Sequence, residues 1–169
     1  MKILALDLST HSSGIAVFED ENLIHYNCIT SSSTDLIKRI NIMKDGIRNV
    51  LNEYKIDKII VEEVRPEGGY GVGNQKTHKA LMWLQGAIAF LAHDEFNNLP
   101  IEYIYPSSWR AKLGIKNGRG IKRTSLKEAD ITFVKDRYNI EVNDDIADAI
   151  CIGLSYFKPE ESNELNWGE

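Results

Sequence analysis

Lys2-Ile3-Leu4-Ala5-Leu6-Asp7-Leu8-Ser9 opens the chain with a continuous apolar run that contains one acid. A run of this kind without alternation reads as a strand buried on both faces. A lone ionised carboxylate is costly there and either neutralises or finds a cation. A divalent metal would satisfy it. Three further acids have related placements: Glu62 ends a second apolar run, and Asp145 and Asp148, three apart, share one face of a predicted helix. Asp148 lies a full turn inside that helix, beyond the reach of a capping role.

Outward from the opening run, a polar turn at 11–14, a strand at 15–18, a turn at 19–22 and a strand at 23–29 read as a β-meander. Leu36, Ile40, Met43, Ile47, Val50, Leu51 and Tyr54 recur in steps of three and four, which predicts an amphipathic helix capped by Ser33 or Thr34. A strand at 58–64, a glycine-rich loop at 68–74, a helix over about 76–94 and a strand at 101–105 follow. Pro106 starts a short helix or turn carrying Trp109. A helix is predicted over 124–138, and a last one from Asn143 or Asp144 that buries Ile146, Ala149, Ile150, Gly153, Leu154 and Phe157. Three strands in succession, then strands alternating with helices, predict an α/β domain with a mixed sheet covered by helices.

The 169 residues, 43% hydrophobic and 27% charged, suit one soluble domain, taken as 1–158 with an acidic tail at 159–169. The apolar stretch near 80–92 is too short and interrupted to span a bilayer, and no signal-peptide pattern opens the chain, so a cytoplasmic protein without membrane association is expected. Cys28 and Cys151 lie in apolar segments without ligand or disulfide spacing and read as reduced, buried side chains. The four histidines show no ligand spacing either. The glycine loop lacks the Gly-Lys-Ser/Thr of a phosphate-binding loop, and no small-molecule cofactor is expected.

The net charge of −5 argues against a general nucleic-acid binder, but the charge is uneven. Between residues 106 and 127 stand seven basic residues and no acid. Lys116, Arg119, Lys122 and Arg123, beside Gly118 and Gly120, are the candidates for DNA phosphate contacts. The 76–94 helix is apolar almost all round, so it is either sandwiched in its own domain or meets a partner subunit, with Leu84 and Leu91 as candidate interface residues.

If the strands carrying Asp7 and Glu62 pair, the last helix can bring Asp145 and Asp148 to the same place. Such a cluster could hold two Mg²⁺ ions roughly 3.5–4 Å apart for phosphodiester hydrolysis, with Mn²⁺ as a substitute. Glu62 and Glu63 face opposite sides of their strand, so only one of them can join the cluster, and Asp144 and Asp145 both stand where the helix dipole favours an opening acid, so each alone also reads as a capping residue.

Leu6-Asp7-Leu8-Ser9-Thr10 with Gly14-Ile15-Ala16, then Val61-Glu62-Glu63-Val64, then Asp145-Ile146-Ala147-Asp148-Ala149 resemble the three acidic motifs of RuvC-type Holliday junction resolvases. The likeness runs to about Tyr156, and Pro106-Ser107-Ser108-Trp109-Arg110 with its basic continuation is similar to the bacteriophage branch. The resemblance implies a ribonuclease H-like fold with a five-stranded mixed sheet, a homodimer, and Mg²⁺-dependent nicking of four-way or branched DNA. It assigns catalysis and metal binding to Asp7, Glu62, Asp145 and Asp148. One departure is that Arg65 stands where cellular RuvC enzymes have a stacking aromatic. Tyr70, in the glycine loop, is either its substitute on DNA bases or an exposed loop tyrosine. An RNA-directed nuclease of the YqgF type and a non-cutting branched-DNA binder are the competing readings. A sugar-kinase or actin-like ATPase needs two such domains, and the chain is too short.

Overall fold

The computed structural model describes residues 1–64, 72–118 and 120–158, with backbone alone for 72–74. Tyr70, Arg119 and the acidic tail at 159–169 therefore lie outside the described residues. β1 (Lys2–Asp7), β2 (Ser12–Glu19) and β3 (Asn22–Thr30) form the antiparallel meander, and β4 (Lys58–Glu62) and β5 (Ile101–Ile104) continue parallel to β1. The order across the sheet is β3-β2-β1-β4-β5, a five-stranded mixed sheet as expected. Among the described residues five helices accompany it: α1 (Leu36–Tyr54), α2 (Val72–Asp94), α3 (Pro106–Lys112), α4 (Arg123–Tyr138) and α5 (Asp144–Tyr156).

Period-two alternation divides the core into two layers. Leu4, Leu6, Ile15, Val17, Ile59 and Val61 point to a cluster with Ile40, Met43 and Ile47 of α1 and Leu84, Ile88 and Leu91 of α2. Ile3, Ala5, Ala16, Phe18 and Ile60 point the other way, to Trp109 of α3, Val134 of α4 and the buried face of α5. Covering on both faces accounts for the unbroken apolar run of β1. Asp7 continues the Ile3-Ala5 side and Glu62 the Ile60 side, so strand alternation aims both acids toward the α5 layer.

Several boundaries differ from the sequence expectation. Asp35, rather than Ser33 or Thr34, caps α1, its carboxylate accepting from the Lys38 amide at 2.8 Å. Ser33 is instead occupied upstream, its hydroxyl accepting from the Asp35 amide, while Arg39 binds the Ser33 and Thr34 carbonyls. β2 begins at Ser12 because the polar Ser12, Ser13 and Gly14 pair with β3, and Gly14 also faces Asp7. The helix after the glycine loop starts at Val72, and β4 ends at Glu62.

The all-round apolar helix α2 resolves into two faces. Leu84 and Leu91 are core residues, 0% and 3% exposed, which removes them as interface candidates. The outer side carries Met82, Trp83 and Phe90, the last 71% exposed. Among the described residues no helix is long and apolar enough to cross a membrane, and both cysteines are free thiols.

Candidate active site

The pairing of the central strands builds the site. β1 and β4 run in parallel register through Leu6 and Val61, which sets Asp7 and Glu62 one step further along neighbouring strands. On the other side of β1, Asp7 pairs with Gly14 of β2. A Cβ on Gly14 would lie 1.8 Å from the Asp145 carbonyl oxygen, so only glycine lets the first turn of α5 sit this close to the sheet. Asn143 caps α5 through a 2.9 Å bond from the Ile146 amide, which fixes where Asp145 and Asp148 emerge.

Asp7, Glu62, Asp145 and Asp148 line one cleft of about 780 Å³. Crowded carboxylates surrounded by protein resist ionisation. Burial, then the charges of Glu62 and Asp145, push the Asp7 carboxyl up to about 8. Burial, then Asp7 and Asp130, push Asp148 up to about 9. Glu62 is also raised by burial, against the lowering effect of the Trp109 indole that donates to it at 2.9 Å. Asp145 accepts from the Ser12 hydroxyl.

As the side chains stand, no three Asp, Glu, His or Cys among the described residues form a group tight enough to ligate one ion. Ser12 and Trp109 engage two of the four acids. The donor set nevertheless suits a hard divalent cation: all donors are carboxylate oxygens, and Asp148 Oδ1 is buried without a hydrogen-bond partner. Asp144 is drawn aside by Lys127, an ion pair that holds its carboxyl below the usual range. Glu63 also lines the cleft, because β4 stops at Glu62 and strand alternation no longer aims the next side chain.

The basic segment splits into distinct environments. Lys116, Lys122 and Arg123 are exposed, and Arg123 lines the cleft with Lys127. Arg110 is not a surface cation at all: it is 8% exposed and bound to the fully buried Asp130 through Nη2 at 2.7 Å and Nε at 3.1 Å. Arg39 of α1, Lys76 and His78 of α2, and His11 also line the cleft. His11, four positions after Asp7, stands close enough in the sequence to approach the site, whereas Arg39, Lys76 and His78 belong to segments read for their apolar periodicity or as isolated histidines. The packing of α1 and α2 over the sheet brings Arg39, Lys76 and His78 to the cleft.

No protein-family model matches the chain. The curated crossover junction endodeoxyribonuclease RuvC of Dictyoglomus thermophilum is 26% identical over 168 residues, spanning 95% of this chain and 99% of that protein. Thermus thermophilus RuvC, solved in complex with a Holliday junction substrate, superposes with a TM-score of 0.71 at 17% identity over 92% of each chain. The chain is RuvC-like in sequence and in fold. Fowlpox virus resolvase, solved with substrate Holliday junction DNA, matches with a TM-score of 0.53 at 18% identity, over 93% of this chain and 97% of that one. The RuvC-like frame is the ribonuclease H-like sheet described above, carrying its acids on β1, β4 and α5.

Proposed function

We propose that this chain is a crossover junction endodeoxyribonuclease, a divalent-metal-dependent enzyme that hydrolyses phosphodiesters at four-way DNA junctions. The observation that carries the reading is the convergence of Asp7, Glu62, Asp145 and Asp148 from β1, β4 and α5 on one cleft with Arg39, Lys76, Arg123 and Lys127. Its curated RuvC relative, matched over nearly its whole length, has this activity in its name.

The four acids would hold Mg²⁺, with Mn²⁺ as a substitute, their hard oxygen donors disfavouring softer ions. When bound, the metal supplies Lewis acidity and an activated water for phosphodiester hydrolysis. The chain's own cations do the positioning. Arg39, Lys76, Arg123 and Lys127 stand beside the acids, so a phosphate drawn to them lies next to the carboxylate cluster. Lys116 and Lys122 extend positive charge along the surface. A homodimer would set two such clefts on one junction, as paired nicking in the cytoplasm requires.

The test is to incubate the protein and Mg²⁺ with a labelled four-way junction, linear duplex and RNA–DNA hybrid. Cleavage of the junction in preference to the other two is expected. Asp7→Asn and Asp148→Asn should bind the junction and not cut it. Preferred cleavage of the hybrid would move the activity to RNA, and Asp7→Asn cutting at the wild-type rate would refute the metal-site assignment.

A further inference from the structure

Trp109 is fully buried, and its indole N–H donates to Glu62 Oε2 at 2.9 Å. A buried indole N–H needs an acceptor, but the core offers many neutral carbonyls. Here the acceptor is one of the four cleft carboxylates. A hydrogen bond to a charged acceptor is stronger and shorter than one to a neutral group, so it fixes the carboxylate as well as satisfying the indole.

The ring that makes this bond is itself held from behind. The Arg110 guanidinium lies over it, 4.0 Å from the ring centroid. That guanidinium is fixed in turn by Asp130 of α4, which is 0% exposed. Ile104, Ile115 and Val134 belong to the same buried cluster as the indole. On the far side, the Gln85 amide of α2 binds the Glu62 backbone carbonyl at 3.0 Å. Glu62 is thus held at backbone and side chain by two elements that carry none of the four acids.

We propose that Trp109 is a positioning residue for Glu62, its N–H orienting the carboxylate toward the divalent metal while the Arg110–Asp130 pair locks the indole in place. This rests on the nuclease reading above. The short α3 helix, whose sequence looks like the beginning of a DNA-binding segment, then serves the acid cluster from beneath. Among the described residues Trp109 donates to one Glu62 oxygen, Oε2, which leaves Oε1 as the candidate ligand atom. Outer partners of metal ligands, when removed, typically weaken metal affinity about 10- to 100-fold.

The experiment uses Trp109→Phe, which retains an aromatic ring and deletes the donor. Mn²⁺ binding is measured by calorimetry on the DNA-free protein, beside junction cleavage at several Mg²⁺ concentrations. The expected result is Mn²⁺ affinity lower by about tenfold or more, a higher Mg²⁺ requirement for cleavage, and no further loss when Trp109→Phe is added to Glu62→Gln. A second measurement needs no change at Trp109. In wild-type protein, Mg²⁺ titration should shift the exchange-protected indole N–H resonance of Trp109, and Glu62→Gln should abolish that shift. A foldable Trp109→Phe with wild-type Mn²⁺ affinity, or an indole resonance indifferent to Mg²⁺ in a protein that binds it, overturns the positioning role alone. A wild-type protein that takes up no divalent metal overturns this role and the nuclease reading together.

Discussion

Asp7 is the residue at which burial and charge are most directly opposed. Its carboxyl is raised to about 8 and that of Asp148 to about 9, against about 4 in an unfolded chain. The folded, metal-free protein therefore keeps protons that the unfolded chain releases. The associated stability is fully present below about pH 4, declines as pH rises, and is lost through pH 8–9. In EDTA, the wild-type melting temperature should fall between pH 5.5 and 8.5. Asp7→Asn should flatten that fall and melt about 3–6 °C above wild type at pH 8.5, a gain of one or two kcal/mol in a domain of this size. Scanning calorimetry at the two pH values checks it, and equal slopes for the two proteins would contradict the crowding of the acids. Asp7 was legible in the sequence because an acid in such a run must either neutralise or find a cation. Asp130 and Arg110 were not. Each looks like a solvated helix charge, and their pairing across twenty positions depends on how α4 packs against α3.

At the level of elements, the site depends on the close approach of α5 to β2. Gly14 was visible only as part of a motif, since nothing local in Ser13-Gly14-Ile15 calls for glycine and the need arises from a carbonyl 131 positions later. Gly14→Ala must push the first turn of α5 away from Asp7. It should reduce Mn²⁺ affinity at least tenfold and cost about 1–3 kcal/mol of stability, as overpacking of a tight contact does. Calorimetric titration and a thermal melt separate the two effects, and wild-type metal affinity would show that α5 can shift without disturbing its acids. Helix α2 shows the opposite limit of sequence reading. Its periodicity marked an all-round apolar helix but could not tell the core face from the outer one. Leu84 and Leu91 proved to be core, so Glu at either should unfold the domain. Met82, Trp83 and Phe90 remain on the outside, and a dimer seated there should be split by Phe90→Glu with the fold intact. Sedimentation of wild type and variant at micromolar concentration tests this, and an unchanged mass would place any dimer contact elsewhere.

For the whole molecule, the question is how a chain of net charge −5 holds a polyanion. The described cations of the cleft and of the basic segment named above fall into three groups that the linear sequence does not separate. Arg110 is consumed by Asp130, and Lys127 pairs with Asp144 while still lining the cleft. Arg39, Lys76 and Arg123 share that lining, and Lys116 and Lys122 are exposed on the stretch before α4. Phosphate contacts release counterions, so binding weakens linearly with log salt at a slope of about 0.9 per contact. If the segment around α4 tracks the junction arms, Lys116, Arg119, Lys122 and Arg123 changed together to Ala should lower that slope by about three to four. Affinity for junction and linear duplex should fall alike, since these contacts position DNA without reading its shape. Binding should not vanish, because Arg39, Lys76 and Lys127 remain beside the acids. Arg110→Ala should instead leave the slope at its wild-type value and lower the melting temperature, as expected when one partner of a buried ion pair is removed. Fluorescence anisotropy across a salt series reads affinity and slope, and a thermal melt reads the stability of Arg110→Ala. A quadruple variant with wild-type slope would return the segment to a solvated face, and the DNA path would then run over α1 and α2.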